Sequence, residues 1–200
     1  MSGRKQFNED EALEAAMRAF WQRGYEATSL SDLEAATGLN KSSLYNAFES
    51  KEALFVRCLE RYSERVAKPL AWELKKPEFR AAITGFFDRL VSRFDDPGAP
   101  PGCLATMAAM ELGQSAGVSA GLVCANLETQ HAAFEARCRQ AVDDGELAED
   151  TDCSALAALL VSISRGLAVL NRAEGNSDLA RQAVAGLLNQ VAPAGGPRPQ

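Results

Sequence analysis

A single histidine, His131, stands in a chain of 200 residues, and the five cysteines (58, 103, 124, 138 and 153) include no CxxC pair. A structural or catalytic metal needs several such ligands at close spacing, so no metal centre is expected. An odd, scattered set of thiols also argues against a disulfide framework and for reduced cysteines in a cytoplasm. No apolar run is read as approaching the roughly 18 residues of a membrane span. The N-terminus, MSGRKQFNEDEALEAA, has two positive charges but no apolar core of a secretory signal. There is no GxxxxGK or HExxH, so neither an enzyme nor a cofactor is expected. An excess of basic charge is missing too. The net charge is −6, and residues 1–62 carry eight Lys/Arg against ten Asp/Glu. Any affinity for nucleic acid must then rest only modestly on charge, with a shallow salt dependence. Strand-like alternation and internal repeats are absent as well.

What the chain does have is helical punctuation, and it reads as all-α. Asn8 with Glu11 forms a capping-box start. Leu13, Ala16, Met17 and Phe20 follow at helical spacing, and Gly24 ends that helix. Ser29 caps a second helix with Asp32 three residues on, and Leu30, Leu33, Ala36 and Leu39 form its apolar side. Gly38 supplies the tight exit. Asn40 caps a third helix, on which Leu44 and Phe48 share a buried face. Lys41, Ser42, Ser43 and Asn46 are left on its outer face, with Tyr45 at the boundary. Ser50 caps a fourth helix running from Lys51 to about Ala67, with Phe55, Cys58, Leu59, Tyr62 and Val66 as its stripe and Pro69 just past its end. Two short helices joined at a Gly turn, the second with a polar outer face, describe a DNA-reading helix-turn-helix.

The order of marks is specific. Ala19-Phe20, Gly24-Tyr25, Thr28-Ser29-Leu30, Ala36-Thr37-Gly38-Leu39, Lys41 to Tyr45, Phe48 and Ser50-Lys51-Glu52-Ala53-Leu54-Phe55 stand in sequence. Over about residues 9–62 the segment resembles the DNA-binding domain of the TetR family of transcriptional regulators. The family often has Gly where Ser42 stands and His or Tyr where Ala47 stands, so the DNA contact made from the latter place is not carried onto Ala47. The resemblance implies that Thr28, Ser29, Lys41, Ser42, Ser43, Tyr45, Asn46 and Lys51 touch double-stranded DNA. Tyr45 would bond a phosphate through its hydroxyl and Lys51 by its charge. As a homodimer, the protein would set two recognition helices in successive major grooves of a near-palindromic operator, roughly 34–36 Å apart. Arg4 and Lys5 are either an arm along a groove or a loose tail.

Downstream, residues 78–94 place Phe79, Ile83, Phe86, Phe87, Leu90 and Phe94 on one side, and 95–102 form a Pro/Gly loop. Helices are expected at 103–115, at 118–144, at 153–173 behind Thr151 or Asp152 as cap, and at 178–191. In the long helix 118–144, Val123, Leu127, Phe134, Cys138 and Val142 fall near one face. In 153–173 the stripe is Leu156, Leu159, Leu160, Ile163, Leu167 and Leu170, with Ala155, Ala157, Ala158 and Val161 off it. A helix apolar on more than one face needs a second burial surface, such as a partner subunit. The domains are read as 1–62 for DNA binding, with the fourth helix as connector to about 67, 68–191 for ligand binding and dimerisation, and a disordered tail at 192–200. Gly102-Cys103-Leu104, Met110-Glu111-Leu112 and the stretch GLAVLNRAEG at 166–175 resemble the effector domain of one TetR subgroup. That implies an internal cavity and a dimer built on the two long helices.

Phe86, Phe87, Leu90, Cys103, Met107, Met110, Phe134 and Cys138 are the candidates to line a cavity for a small effector, since aromatic and Met side chains make adaptable apolar walls. Plain core is the competing reading of the same stripes. Cys103 opens a helix after Pro100-Pro101-Gly102, a place that lowers a thiol pKa and suits a sensor of oxidants or electrophiles, with Cys138 or Cys124 as resolving thiol. His131 either bonds a ligand or sits idle. The function expected is a cytoplasmic, ligand-responsive DNA-binding repressor, with the fourth helix as lever. The alternatives are a repressor that senses through Cys103 and a helical interaction protein that does not read DNA.

Overall fold

The computed structural model describes residues 8–113 and 117–191. The proposed arm at Arg4 and Lys5, residues 114–115 of the helix expected at 103–115, and the tail 192–200 lie outside the described residues. Among the described residues the chain is helices and turns only. The elements are α1 (Glu9–Arg23), α2 (Leu30–Thr37), α3 (Lys41–Phe48), α4 (Lys51–Tyr62), α5 (Lys68–Glu73), α6 (Phe79–Phe94), α7 (Leu104–Leu112), α8 (Val118–Asp143), α9 (Cys153–Glu174) and α10 (Asp178–Val191).

The caps that start the helices are local and stand as expected. Asn8 Oδ1 accepts from the N–H of Asp10 and Glu11, although Glu11 reaches back to the Asn8 side chain and not to its backbone. Ser29 and Asp32 make the full capping box, Asn40 accepts from Ser43, Ser50 from Ala53, and Asp152 from Ala155. Gly38 closes α2 in the left-handed conformation at φ +69°. Around these caps α1, α2 and α4 pack together. Leu13, Met17, Phe20, Leu33, Leu44 and Phe55 form one buried centre. Phe55 meets the rings of Phe20 and Tyr25 at 4.9 and 4.7 Å, the tilted and edge contacts that aromatic quadrupoles favour. Three ion pairs, Arg57–Glu9, Arg61–Asp10 and Arg65–Glu14, tie the fourth helix to α1. Ala36, expected on the apolar side of α2, is exposed.

Pro69 does not end the fourth helix. The chain stays helical through it to Glu73, after one wide π turn over Ser63–Ala67 in which the Lys68 N–H bonds Ser63 O. In an α-helix the Pro69 ring would collide with the carbonyl four residues back, and the wider turn opens the room it needs.

α8 and α9 lie side by side, with α6 against both and α10 against α6 and α9. The buried face of α9 runs through Ala157, Leu160, Ser164, Leu167, Ala168 and Asn171. Small side chains at 157, 164 and 168 let neighbouring helices approach closely. This turns the stripe from its expected phase: Ala157 is wholly buried and Leu159 is 48% exposed. α9 is also long and apolar enough, at mean hydropathy 1.9, to cross a membrane by length and composition. The expectation that no segment reaches that threshold is therefore corrected. Its place in the bundle beside α6 and α8 gives it a different use.

Candidate nucleic-acid interface and internal cavity

α3 presents its polar face because Leu44 and Phe48, four residues apart, commit the opposite face to the core. Lys41, Ser42, Tyr45 and Asn46 are exposed, and Ser43 is half-buried. Lys41 with Tyr45 and Ser42 with Asn46 make two adjacent columns on this face. Among the described residues Lys41 and Lys51 make no ion pair. The Lys51 ammonium sits 4.4 Å above the Tyr25 ring at the start of α4, where a cation–π contact fixes it. Two carboxylates intrude. Glu34 accepts the Lys41 N–H at 2.6 Å, and Glu49 stands between α3 and α4. Glu49 takes φ +64°, ψ −51°, while the Ser50 N–H bonds Phe48 O at 2.6 Å. This is the strained form of γ-turn, and it sets the separation of Tyr45 from Lys51.

Thr28 is a correction. It is fully buried, and its hydroxyl donates to Gly24 O at 2.5 Å, so it holds the turn before α2 and is not available to a phosphate. Ser29 is exposed, but its hydroxyl is engaged with Asp32.

A cavity of about 250 Å³ opens beneath this unit, between the end of α4 with its π turn, α5, α6, α7, α8 and α9. Its walls are mostly apolar, from Val66, Leu70, Leu74, Phe86 and Leu90. Its polar end holds Tyr62, Cys103, Gln130, Ser164 and Arg165. Of the eight candidates, Phe86, Leu90 and Cys103 line it. Phe87, Phe134 and Cys138 are wholly buried in the core instead, with the Phe134 ring 4.7 Å from that of Phe86. Met107 packs against the core and Met110 is 67% exposed. The helical phase explains Met110: Leu104, Ala108 and Leu112 point inward at four-residue intervals, which turns residue 110 outward.

As cavity residues, Tyr62, Gln130 and Arg165 escaped the sequence reading, which took Tyr62 only as part of the apolar stripe of the fourth helix. Arg165 had a visible signal, as a charge in the middle of the most apolar helix. The Tyr62 hydroxyl donates to Cys103 Sγ at 3.2 Å, and Arg165 Nη1 lies 3.7 Å from the same sulfur. Burial pushes the Cys103 thiol up, but the Arg165 charge, Thr106 and Tyr62 outweigh it and hold the thiol below its ordinary value. Burial and the neighbouring Cys103 push the Tyr62 hydroxyl well up, so it remains a donor. His131 Nε2 lies 3.2 Å from Ser154 O, away from the cavity lining.

The cavity walls also grip the helix-turn-helix unit at three charged contacts. Glu111 on α7 accepts from the N–H of Tyr25 and Glu26 at 2.7 and 3.1 Å. Gly24 (φ +90°) is required there, since a Cβ would collide with the Glu111 carboxylate. Arg172 on α9 donates to Gln22 O at 2.6 Å and Trp21 O at 3.3 Å, at the negative end of α1. Glu52 on α4 accepts from Val118 N and Ser119 N at the start of α8. The segments around Gly102 and Asn171 meet as well, through Gly102 N–H to Asn171 Oδ1 at 2.6 Å.

Residues 12–58 match the family described as bacterial regulatory proteins, tetR family, and residues 80–187 match the tetracyclin repressor-like, C-terminal domain. The HTH-type transcriptional repressor ComR of Escherichia coli (strain K12) is 34% identical over 179 residues, covering 86% of this chain and 83% of that protein. The uncharacterized HTH-type transcriptional regulator YezE of Bacillus subtilis (strain 168) is 32% identical over 162 residues, with 80% and 84% covered. Among solved structures, a cysteine variant of the TetR family regulator CifR, complexed with 26-base-pair operator DNA, superposes with a TM-score of 0.85 at 30% identity, over 94% of this chain and 99% of that one. The reduced form of Escherichia coli NemR shares the fold, with a TM-score of 0.79 at 20% identity over 94% and 98% of the two chains. With α1 to α4 falling within or beside the first match and α6 to α10 within or beside the second, the chain belongs to the TetR family of transcriptional regulators.

Proposed function

We propose that this regulator is a cytoplasmic, ligand-responsive repressor that binds a near-palindromic operator as a homodimer and leaves it when a small effector enters the cavity. Residues 1–62 serve as the DNA-binding domain, the run from α4 through the π turn to α5 as connector, and 68–191 as the effector and dimerisation domain. The observation that carries the reading is the joint use of α4, α7 and α9. The same three helices line or border the cavity and hold the unit that presents α3. Ser42, Ser43 and Asn46 read base edges, while Lys41, Tyr45 and Lys51 hold phosphates. Ser29 lies at the edge of that surface. The exposed small and apolar stripe of α9, through Ala155, Ala158, Leu159, Ser162, Gly166 and Val169, supplies the dimer face together with α8.

Selection of bound sequences from random duplex DNA, followed by titration of the winner across salt concentrations, tests this. A palindrome is expected. Lys51→Ala should weaken binding to all sequences, by about tenfold, and reduce the salt slope by about one. Asn46→Ala should instead relax the preference at one position per half-site, by about 1–3 kcal/mol. A folded dimer that enriches no motif would support the interaction-protein reading.

A second reading is favoured by the contacts of Cys103 with Tyr62 and Arg165: a repressor whose signal is an oxidant or electrophile. The Cys103 thiolate would attack a peroxide oxygen to give the sulfenic acid and release water or an alcohol, or it would add to an aldehyde. Because the thiol is held below its ordinary value, its alkylation rate should rise with pH and level off below the range of a free cysteine. Cys138 suits the resolving role poorly, since burial pushes its thiol up to about 11. Cys103→Ser is expected to abolish release from the operator by peroxide or aldehyde. Release that persists in that variant rules the reading out.

A further inference from the structure

We propose that the cavity takes an amphipathic monocarboxylate, with the carboxylate on Arg165 and the apolar body against Val66, Leu70, Phe86 and Leu90. This rests on the effector reading above and names the effector's chemical class. The argument begins with an unbalanced charge. Arg165 sits midway along α9, an apolar helix, with its guanidinium turned into the cavity wall. A charge taken out of water is costly unless an opposite charge or full hydrogen bonding replaces the water. Arg165 has neither. Nη2 donates to Gln130 Oε1, Nη1 lies 3.4 Å from Thr106 Oγ1 and 3.7 Å from Cys103 Sγ, and Nε is buried without a hydrogen-bond partner.

The most deeply buried arginine is treated differently. Arg137, 3% exposed where Arg165 is half-buried, also leaves Nε and Nη1 without partners, but it donates to the Glu146 carboxylate at 2.9 Å. Around Arg165 the charge is left standing. The cavity lining includes Arg165 and Lys68 and neither Asp nor Glu. Lys68 is held by Glu64, outside the lining. The cavity is therefore cationic at its polar end and apolar along its length. The ligand that complements both ends carries one anionic head on a hydrocarbon body. A guanidinium takes a carboxylate through two parallel N–H bonds, which selects this head over a hydroxyl or an amide. A volume of about 250 Å³ limits the body to a short chain or a single ring. Among the side chains that Arg165 touches, Cys103 is the one that can become an anion, and the Arg165 charge favours its thiolate. A bound carboxylate would compete with it for Arg165, push the thiol back up and slow its alkylation.

The test uses the full-length protein and isothermal titration with octanoate and 4-phenylbutanoate, each beside its matched alcohol, 1-octanol and 4-phenyl-1-butanol. At least one acid is expected to bind about tenfold or more tightly than its alcohol, the ratio that one charge-assisted hydrogen bond implies. Its binding should slow iodoacetamide labelling of Cys103. Arg165→Met should erase the preference for the acid, and Arg165→Lys should keep part of it. The wild-type comparison stands even where a variant fails to fold. The inference is overturned if each alcohol binds as well as its acid, if neither acid binds at millimolar concentration, or if Arg165→Met keeps the preference. Operator binding is followed in parallel. Release by an alcohol and not by its acid would leave the effector reading intact and sink only the choice of head group.

Discussion

Phe55→Ala is expected to cost about 3–5 kcal/mol of folding stability, the range for emptying a large buried aromatic site. For a chain of this size that corresponds to a fall in Tm of roughly 6–20 °C. Phe55 is fully buried on the first turns of α4 and is the ring that both Phe20 and Tyr25 lean on. Around it, α1, the turn at Tyr25 and α4 cannot close without moving backbone that is already tied. The Tyr25 and Glu26 amides are held by Glu111, and the Tyr25 ring carries Lys51. The space left by the ring therefore collapses poorly, which places the cost toward the upper end. Operator binding should fall with stability, because Lys51 loses its platform. Phe55→Leu keeps most of the volume and should cost much less, roughly 1–2 kcal/mol. Urea unfolding of the two variants beside wild type measures this. A loss below about 1 kcal/mol in Phe55→Ala would mean that the ring is not the keystone of α1 and α4.

The sequence disclosed whatever is decided within one turn of helix. Ser29, Asn40, Ser50 and Asp152 cap where expected because a cap is a contact over three residues. The α4 stripe from Phe55 to Val66 is buried because the helical period alone decides it. Pro69 misled, since the usual rule that proline follows a helix ignores the π turn that admits it. Met110 and Leu159 misled through phase: one residue of rotation carries a side chain from core to solvent, and distant neighbours set that rotation. Thr28 fits a cap or a phosphate ligand equally well in sequence, and only the carbonyl of Gly24 decides between them. The polar cavity residues that were missed, Tyr62, Gln130 and Arg165, come from three helices far apart in the chain. Pairing across such distances leaves no local mark. The segments around Gly102 and Asn171 drew notice through family resemblance, and the structure supplies a physical reason in the Gly102–Asn171 bond and the adjacent Arg172 contact.

Those long-range contacts carry the other large expected effect. In a double variant, Glu111→Gln with Arg172→Met, the effector should still bind the cavity and α3 should still bind the operator, but each should stop affecting the other. α7 is preceded by its cap residue Cys103, in the cavity wall, and carries Glu111 in its last turn onto the Tyr25–Glu26 turn. α9 carries Arg165 into the cavity and, seven residues later on nearly the same face, Arg172 onto the last carbonyls of α1. A shift of either helix by a ligand thus reaches the end of α1 and the start of the α1–α2 connection, in addition to the direct route through α4. Coupling between two such sites is typically about 1–3 kcal/mol, and it must be the same whichever ligand is added first. Removing the two charged contacts leaves α4 and Glu52 as the remaining link, so the coupling should fall to a small part of its wild-type value. Titrating effector with and without a saturating operator duplex, then operator with and without effector, measures it twice. Both ratios should move toward one together. Ratios unchanged from wild type would assign the coupling to α4 alone and reduce Glu111 and Arg172 to props for the fold.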